Sequence, residues 1–234
     1  MKELIRFKNV SKQYGEGDKK FYALHDVNFE INQGEYVVIL GPSGAGKSTL
    51  LNLLGGMDQA SSGEILVEGT NIEGYNDAQL TEFRANNVGF VFQFYNLIPT
   101  LTALENVSIT KDIKKSKRTS EAILESVHLE RQMHQFPAEL SGGEQQRVSI
   151  ARAIRKDPLM LLCDEPTGAL DSKTGVDILK VLHNLCKEEN KTVIIVTHNA
   201  TIAQTADRVI YLKNGEIEKM TLNEQPLMID EVEW

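Results

Sequence analysis

The apolar residues of the chain form two kinds of pattern. Continuous apolar runs occur at 36–40, at 159–163 and within the segment 192–197, and each is followed by polar or glycine-rich residues. Short unbroken runs of this kind are typical of strands that are buried on both faces of a parallel sheet. Because ligands bind at the carboxyl ends of such strands, the residues that follow the three runs are the first candidates for a functional site.

Alternating patterns and helical patterns fill the rest of the chain. Further strands are predicted at 4–10, 21–31, 62–69 and 87–92, together with a hairpin at 208–219 that turns at Asn214-Gly215. Helices are predicted at 50–54, 77–85, 102–109, 119–129, 141–156 and 172–189. Strands that alternate with helices predict an α/β fold with a mostly parallel core sheet, and the helix-rich segment 94–156 is predicted to be an inserted lobe.

Composition and charge narrow the class of protein and its partners. Of the 234 residues, 41% are hydrophobic and 25% are charged, which is ordinary for a folded soluble domain. The net charge of −8 argues against a nucleic acid as partner. The N-terminus does not resemble a signal peptide, and no apolar run approaches the roughly 20 residues that cross a bilayer, so we expect another chain to supply any membrane part. Cys163 and Cys186 lack metal-site or disulfide spacing, and Cys163 is expected to be a buried thiol, which fits a reducing cytoplasm.

The first apolar run leads into the pattern G-x-x-x-x-G-K-S, which lies between a predicted strand and a predicted helix. Glycines let the backbone bend so that several N–H groups point into one concavity, and the helix start adds its positive dipole end. Lys47 is expected to reach the β- and γ-phosphates of a nucleotide, and Ser48 to coordinate Mg²⁺. The predicted phosphate-binding residues are Gly41, Ser43, Gly44, Ala45, Gly46, Lys47, Ser48 and Thr49.

The other two apolar runs also end in residues that suit nucleotide chemistry. Asp164 and Glu165 follow the run 159–163, and His198 follows the run 192–197. Asp164 is expected to hold Mg²⁺, Glu165 to polarise an attacking water, and His198 to contact the γ-phosphate. The alternatives are a solvated strand end for the carboxylates and a structural histidine, and the P-loop in the same chain favours the catalytic roles.

A second anion site is predicted at residues 140–144, with the sequence L-S-G-G-E. Ser141 and Glu144 have the spacing of a capping box, and small residues at a helix N-terminus can bind an anion. One chain has no evident need for two γ-phosphate sites, whereas two chains arranged head to tail would each cover the partner's nucleotide. Asp171 is expected where the two copies meet. These features predict a homodimer that ATP stabilises and that loss of the γ-phosphate weakens.

Together these segments resemble the ATP-binding subunits of ABC transporters over nearly the whole chain. Residues 41–48 match the Walker A motif, 140–144 the ABC signature and 159–164 the Walker B motif. The resemblance implies that the nucleotide is ATP, with Mg²⁺ as the metal. The catalytic residues that it implies are Glu165, His198 and Lys47. The metal ligands that it implies are Ser48, Gln93 of the Q-loop and Asp164.

The resemblance also assigns the contacts to the partner copy and to the base. The residues implied to act across the dimer are Ser141, Gly142, Gly143 and Glu144 of the signature, with Asp171 of the D-loop. Tyr14 matches the aromatic residue that stacks on adenine, and Tyr22 is the second candidate. A half-buried tyrosine at a strand end is an equally good reading of Tyr14.

The sequence in and around these motifs resembles one branch of the family, which contains MacB-like and LolD-like ATPases and antimicrobial-peptide-resistance ATPases. The segments that carry it are 41–44, 90–93, 96–99, 102–107 and 166–171. Members of this branch work with FtsX-like permeases, so the resemblance implies such a partner and an export or resistance role. Two departures are Glu144, where Gln is commoner, and a segment 109–135 that looks short for the branch.

The resulting prediction is a single ABC ATPase domain over 1–234, with an N-terminal antiparallel β subdomain. A nucleotide-binding core lobe is expected at 1–93 and 157–221, a helical signature lobe at 94–156 and a tail at 222–234. The protein is expected to be peripheral, at the cytoplasmic face of the plasma membrane. The apolar stretch 94–101 is the candidate surface for the permease, with packing inside the lobe as the alternative. Rival functions are a mechanical or sensory relay and a soluble ABC ATPase.

Overall fold

The computed structural model describes residues 2–110 and 118–232. Its strands are β1 (Glu3–Tyr14), β2 (Phe21–Asn32), β3 (Tyr36–Leu40), β4 (Ser62–Val67), β5 (Thr70–Asn71), β6 (Val88–Phe92), β7 (Met160–Asp164), β8 (Thr192–Thr197), β9 (Arg208–Lys213) and β10 (Glu216–Leu222). Its helices are α1 (Lys47–Leu54), α2 (Asp77–Asn87), α3 (Ala103–Ser108), α4 (Ser120–Ser126), α5 (Gly142–Ile154) and α6 (Ser172–Lys187).

Every strand and helix predicted from the sequence has a counterpart in this set. The sequence did not predict β5 or the 3₁₀ turn at Ile202–Thr205. Both are too short for a period of hydrophobic residues to show. Residues 111–117 of the predicted helical lobe lie outside the described residues. Within the described ranges, none of the helices combines the length and hydropathy needed to cross a bilayer.

The chain forms two compact units. The first contains the described residues from 2 to 83 and from 194 to 232. Its antiparallel sheet has the strand order β2-β1-β4-β5, which confirms the predicted N-terminal antiparallel subdomain. The rings of Phe7 on β1 and Phe29 on β2 stack with centroids 4.4 Å apart in its core.

A second set of strands in this unit carries the first apolar run. The order is β10-β9-β3-β8, with β3 parallel to β9 and β9 antiparallel to β10. The β9–β10 turn has φ of 51° at Asn214 and 80° at Gly215, so both central residues have the positive φ of a type I′ turn. The hairpin predicted at this Asn-Gly pair is therefore confirmed.

A buried ion pair joins the start of β9 to the chain just before β3. The guanidinium of Arg208 donates to both carboxylate oxygens of Glu35, at 2.8 and 2.9 Å, and each side chain is only 6% exposed. Burial raises the pKa of Glu35, but hydrogen bonds from Arg208 and Asn32 outweigh it and hold the pKa below the ordinary value. The pair fixes where β3, and hence the loop after it, begins.

The second unit contains the described residues from 84 to 193. Strands β6 and β7 pair in parallel, with Phe92 opposite Asp164. Helix α5 packs against β6, α3, α4 and α6, and its inward face includes Val148, Ile150 and Ala151. Cys163 on β7 is fully buried, as predicted, and burial raises the pKa of its thiol far above the ordinary value.

Replacing Glu35 with Gln should lower the free energy of unfolding by about 3–5 kcal/mol at pH 7, because the Arg208 charge is left buried without its partner. A carboxylate whose pKa is lowered by folding stabilises above its unfolded pKa, near 4.5, and loses this effect as the pH falls through the folded pKa. The difference in the free energy of unfolding between wild type and Glu35→Gln, measured by urea unfolding, should therefore become smaller below about pH 4.5.

The exposed pair of Lys8 and Glu64, 3.4 Å apart, supplies the control. Glu64→Gln should change stability little, because exposed ion pairs are well solvated. A Glu35→Gln variant as stable as Glu64→Gln would contradict the role given to the buried pair.

Candidate functional site

The P-loop, residues 41–46, lies between β3 and α1 in the first unit. Gly46 is the N-cap of α1 with a φ of 100°, and a Cβ there would collide with the carbonyl oxygen of Ala23. Gly44 has a φ of 78° with open space around it, so glycine is favoured there by the backbone angle and not by lack of space. The loop therefore has positive φ angles at Gly44 and Gly46, where glycine is favoured, and Ser43 on the loop and Ser48 on α1 are exposed to solvent.

The ammonium of Lys47 turns back onto its own loop. Its Nζ donates to the carbonyl oxygens of Gly41 at 2.8 Å and Pro42 at 3.0 Å. Both acceptors are neutral, and an ammonium bonds more strongly to an anionic oxygen. Lys47 is thus placed at the P-loop with partners that a phosphate can replace.

The β9–β10 hairpin braces the P-loop from behind. The N–H of Gly215 donates to the carbonyl of Ala45 at 3.0 Å, and the carbonyl of Gly215 accepts from the N–H of His25 at 2.9 Å. A Cβ on Gly215 would lie 2.8 Å from the carbonyl oxygen of Ala23 on β2. The turn is therefore wedged between β2 and the P-loop, and Gly215 is a site residue that the sequence pattern revealed only as a turn former.

His198 lies at the P-loop, as predicted. The N–H of Gly41 donates to the carbonyl of Thr197 at 3.4 Å, which joins the end of β8 to the first P-loop residue. His198 lines a pocket of about 350 Å³ together with Gly41, Pro42 and Tyr211. The structure thus brings two of the three strand ends singled out by the sequence into one place.

Tyr14 lies beside α1, where it hydrogen-bonds with Thr49. Its hydroxyl donates to Asp58 at 2.7 Å, and Lys12 lies 4.9 Å from its ring centroid. Burial, and then the Asp58 carboxylate, raise the pKa of Tyr14. The ring of Tyr14 is half-buried. Its position beside the P-loop helix fits adenine stacking, and its burial and its hydrogen bond to Asp58 fit the structural alternative equally well.

The second candidate for base stacking, Tyr22, differs from Tyr14 in its surroundings. Its ring is exposed and makes an edge contact with His25, with centroids 5.0 Å apart. The role of Tyr22 in base stacking stays a prediction.

The second unit groups Gln93 with the loop that carries Glu165. Gln93 follows β6 and Glu165 follows β7, and the last residues of these strands are opposite each other. A Cβ on Gly168 would lie 2.9 Å from the Gln93 amide nitrogen and 3.4 Å from the Glu165 Cβ. Gln93 and Glu165 therefore flank the same glycine, with Asp164 at the adjacent strand end.

Glu165 has an unusual backbone conformation, with a φ of 46°. Few residues other than glycine adopt the left-handed region, and strain of this kind clusters at functional sites. The Glu165 carbonyl accepts from the N–H of Gly168 at 3.0 Å, which closes the turn. The backbone thus holds the side chain of Glu165 in one direction at the end of β7.

Asp171 is the N-cap of α6. Its carboxylate accepts from the Thr174 N–H at 3.1 Å and from the Thr174 hydroxyl at 2.7 Å. These hydrogen bonds, that from the Thr174 side chain first, lower the pKa of Asp171. The sequence placed Asp171 at a dimer contact and missed this capping role, although an Asp directly before the predicted helix start at 172 was the signal for it.

The signature forms the predicted capping box at the start of α5. Ser141 Oγ accepts from the Glu144 N–H at 3.3 Å, and the Glu144 carboxylate accepts from the Ser141 N–H at 2.8 Å. Burial raises the pKa of Glu144, and hydrogen bonds from Ser141 and Gln132 outweigh it and lower the pKa. Glu144 at this position therefore has a clear structural role.

The two signature glycines allow close packing. A Cβ on Gly142 would lie 2.9 Å from the Tyr95 hydroxyl, and one on Gly143 would collide with the Thr174 methyl group. Because Thr174 also bonds Asp171, the signature and the D-loop are in contact through a single side chain. The structure thus brings these two predicted sites together.

The sequence did not predict a contact between Arg152 on α5 and the segment that follows Gln93. Tyr95 and Asn96 have φ of 60° and 51°, and the Arg152 guanidinium on α5 donates to their carbonyl oxygens at 2.9 and 2.7 Å. A single arginine in a helix gives no sequence signal for such a contact. This contact ties the segment after Gln93 to the signature helix.

The predicted magnesium ligands suit that ion by their chemistry. Ser48, Gln93 and Asp164 offer a hydroxyl, an amide carbonyl and a carboxylate, and Mg²⁺ prefers oxygen donors, few of them from protein when phosphates are present. In the described part of the chain, no group of three or more His, Cys, Asp and Glu side chains is arranged to hold a metal.

Comparison with known proteins gives the same picture from an independent direction. A family model described as ABC transporter matches residues 24–168. An uncharacterised ABC transporter ATP-binding protein of Methanocaldococcus jannaschii is 46% identical over 225 residues, which cover 92% of this chain and 96% of that protein. The macrolide export ATP-binding/permease protein MacB of Pasteurella multocida is 47% identical over 219 residues, which cover 92% of this chain and 34% of that protein.

A solved structure of the M. jannaschii cassette is also similar to the chain. It is described as a dimeric, post-hydrolysis state bound to ADP and Pi. It superposes with a TM-score of 0.85 at 43% sequence identity, covering 94% of this chain and 98% of that one.

Gly215→Ala should weaken ATP binding by about tenfold, because the new methyl group must push the turn off Ala23 and so displace Ala45. The measurement is equilibrium binding of a fluorescent ATP analogue. The matched control is Gly69→Ala in the β4–β5 turn, where φ is 78° and a Cβ meets open space. Both changes carry the same backbone strain of about 1 kcal/mol. Equal ATP affinities in the two variants would contradict the bracing role.

Proposed function

Because the chain belongs to the ABC transporter family and is an ATPase of that family, we propose that it is the subunit that powers a membrane permease through an ATP-dependent homodimer. The observation that carries the proposal is the complete set of motifs in one chain, with the P-loop, Q-loop, signature, Walker B, D-loop and H-loop residues all present. The similarity to MacB supports a link to export, since that name joins ATP binding and a permease in one protein.

In the proposed mechanism the first unit binds the phosphates. The P-loop backbone and Lys47 hold the phosphate oxygens, and Lys47 exchanges its two carbonyl partners for them. Tyr14 stacks on the adenine. His198, beside Gly41 and Pro42, contacts the γ-phosphate and keeps the attacking water aligned.

The second unit supplies the base and completes the metal ligands. Ser48, Gln93 and Asp164 would hold Mg²⁺, which would supply positive charge to neutralise the phosphates. Glu165 accepts the proton of the water that attacks the γ-phosphate. Its left-handed backbone conformation and the closed turn to Gly168 support this role, because a base must be held in position.

The proposed dimer is head to tail, with the signature of each copy over the nucleotide of the other. Ser141, Gly142, Gly143 and Glu144 form the trans surface, and Asp171 lies at the contact between copies. The start of α5 suits an anion, because its N–H groups carry the positive end of the helix dipole. The dimeric form of the M. jannaschii cassette supports the formation of a dimer.

The proposed membrane partner is an FtsX-like permease, and the cargo is of the export or resistance kind. The protein would then lie at the cytoplasmic face of the plasma membrane. Phe94, directly after Gln93, is 74% exposed, which supports a docking role for this part of the stretch 94–101. Ile98, later in the stretch, supports the alternative of packing inside the lobe, since buried Asn106 bonds both of its backbone groups.

Glu165→Gln should keep ATP affinity and lower the turnover number by at least about a hundredfold, because the general base is lost. The ATP-bound dimer should then persist, and size-exclusion chromatography in ATP should detect it. Lys47→Ala is the contrasting variant and should lose ATP binding itself. Undiminished hydrolysis by Glu165→Gln would remove Glu165 as the base.

The membrane partner can be captured with tagged Glu165→Gln protein, trapped with ATP and purified from detergent-solubilised membranes. Mass spectrometry should then identify an FtsX-like permease. Adding Phe94→Asp should abolish this capture, whereas Met228→Asp, at another exposed apolar residue, should not. A permease of another type would refute the branch, and capture of no membrane protein would refute the transporter role.

A further inference from the structure

Gln146 on α5 is a buried amide in an unusual setting. Its side chain is 0% exposed, and its Nε2 donates to the carbonyl oxygen of Pro166 at 2.8 Å. Within the described residues, its Oε1 accepts no hydrogen bond. A half-satisfied buried amide is less favourable than an apolar side chain of the same size, so packing alone gives no reason for a glutamine here.

The acceptor of this hydrogen bond is the carbonyl of Pro166, the residue that follows Glu165. Pro166 has no N–H, so its carbonyl is the group through which the rest of the protein can hold this point of the backbone. Glu165, the residue before it, has a φ of 46°, which needs support from its surroundings. The Gln146 amide is such a support, and it acts from a helix outside the turn.

The same helix starts at the signature. Gln146 lies five positions after Ser141, the N-cap, so little more than one helical turn separates the two. At that end of α5, Gly142 packs against Tyr95 and Leu170, and Gly143 packs against Thr174. One turn of helix therefore joins the signature to the carbonyl of the residue that follows Glu165.

We propose that Gln146 is a positioning residue that holds Glu165 in its catalytic conformation and passes movement of the signature to it. This inference rests on the proposed role of Glu165 as base. When the signature engages the nucleotide of the partner copy, α5 shifts, and the Gln146 amide moves the Pro166 carbonyl with it. Each nucleotide site thereby senses whether the other is covered.

The test compares Gln146→Met with Gln145→Met in the full chain. Methionine keeps the length of the side chain and removes the N–H donors. The control residue, Gln145, directly precedes Gln146 on the same helix, and its amide donates to the carbonyl oxygen of Leu140 at 3.1 Å. We expect Gln146→Met to lower the turnover number by about five- to tenfold, the effect of one lost hydrogen bond, with unchanged ATP affinity. Gln145→Met should hydrolyse ATP as the wild type does.

A double-mutant cycle separates positioning from a general structural effect. If Gln146 acts through Glu165, then Gln146→Met should cause no further loss when added to Glu165→Gln, measured as slow phosphate release in single-turnover assays. A loss of the same factor in both backgrounds would overturn the proposal, as would equal rates for Gln146→Met and Gln145→Met. Full activity of Glu165→Gln alone would instead overturn the assignment of the base.

Gln146→Glu provides a rescue arm that also covers poor folding of the methionine variant. Its ionised carboxylate cannot donate to the Pro166 carbonyl, whereas its protonated form can. Burial raises the pKa of such a carboxyl group. Relative to wild type at each pH, the rate of Gln146→Glu should therefore recover as the pH falls. A ratio that does not change with pH would count against the hydrogen bond as the cause.

Discussion

The structure depends on places where backbone passes so close to backbone that no Cβ fits. Around the P-loop these are Gly41 against the carbonyl of Leu212, Gly46 against that of Ala23, and Gly215 between Ala23 and the loop. Because each contact involves main chain on both sides, neither partner can move aside as a side chain would. The loop conformation is therefore set by β2 and the β9–β10 hairpin as much as by its own glycines.

In the second unit, the glycines of the signature and of the turn after Glu165 lie close to side chains instead of backbone. Gly142, Gly143 and Gly168 leave room for Tyr95, Thr174 and Gln93, and the Glu165 turn is closed by Gly168 and held by Gln146. Helix α5 contributes to nearly all of these contacts, through its capped start, Gln146 and Arg152. A movement of this one helix thus changes the surroundings of the signature, the Q-loop and the base together.

The motifs and the relatives define the ATPase chemistry of the chain, but they do not identify a transported molecule. ATP binding and hydrolysis need residues of this chain alone, whereas no residue here has to touch a transported molecule. For this reason the 46% and 47% identities to an uncharacterised cassette and to MacB agree on the ATPase while differing in what the names say about transport. Under the proposed function, any role beyond ATP hydrolysis resides in the permease.

The sequence by itself determined those features whose hydrogen bonds lie within a few residues. The strand–loop–helix of the P-loop, the Ser141–Glu144 capping box and the Asn214-Gly215 turn were all predictable, because their geometry depends on residue types at fixed short spacings. Only the tertiary structure decided the contacts between distant segments: Glu35 with Arg208, Gly215 with Ala45, and Gln146 with Pro166. A single Arg, Gly or Gln has no periodicity and no local partner, so its role depends on which strands and helices become neighbours, and that is fixed by packing of the whole domain.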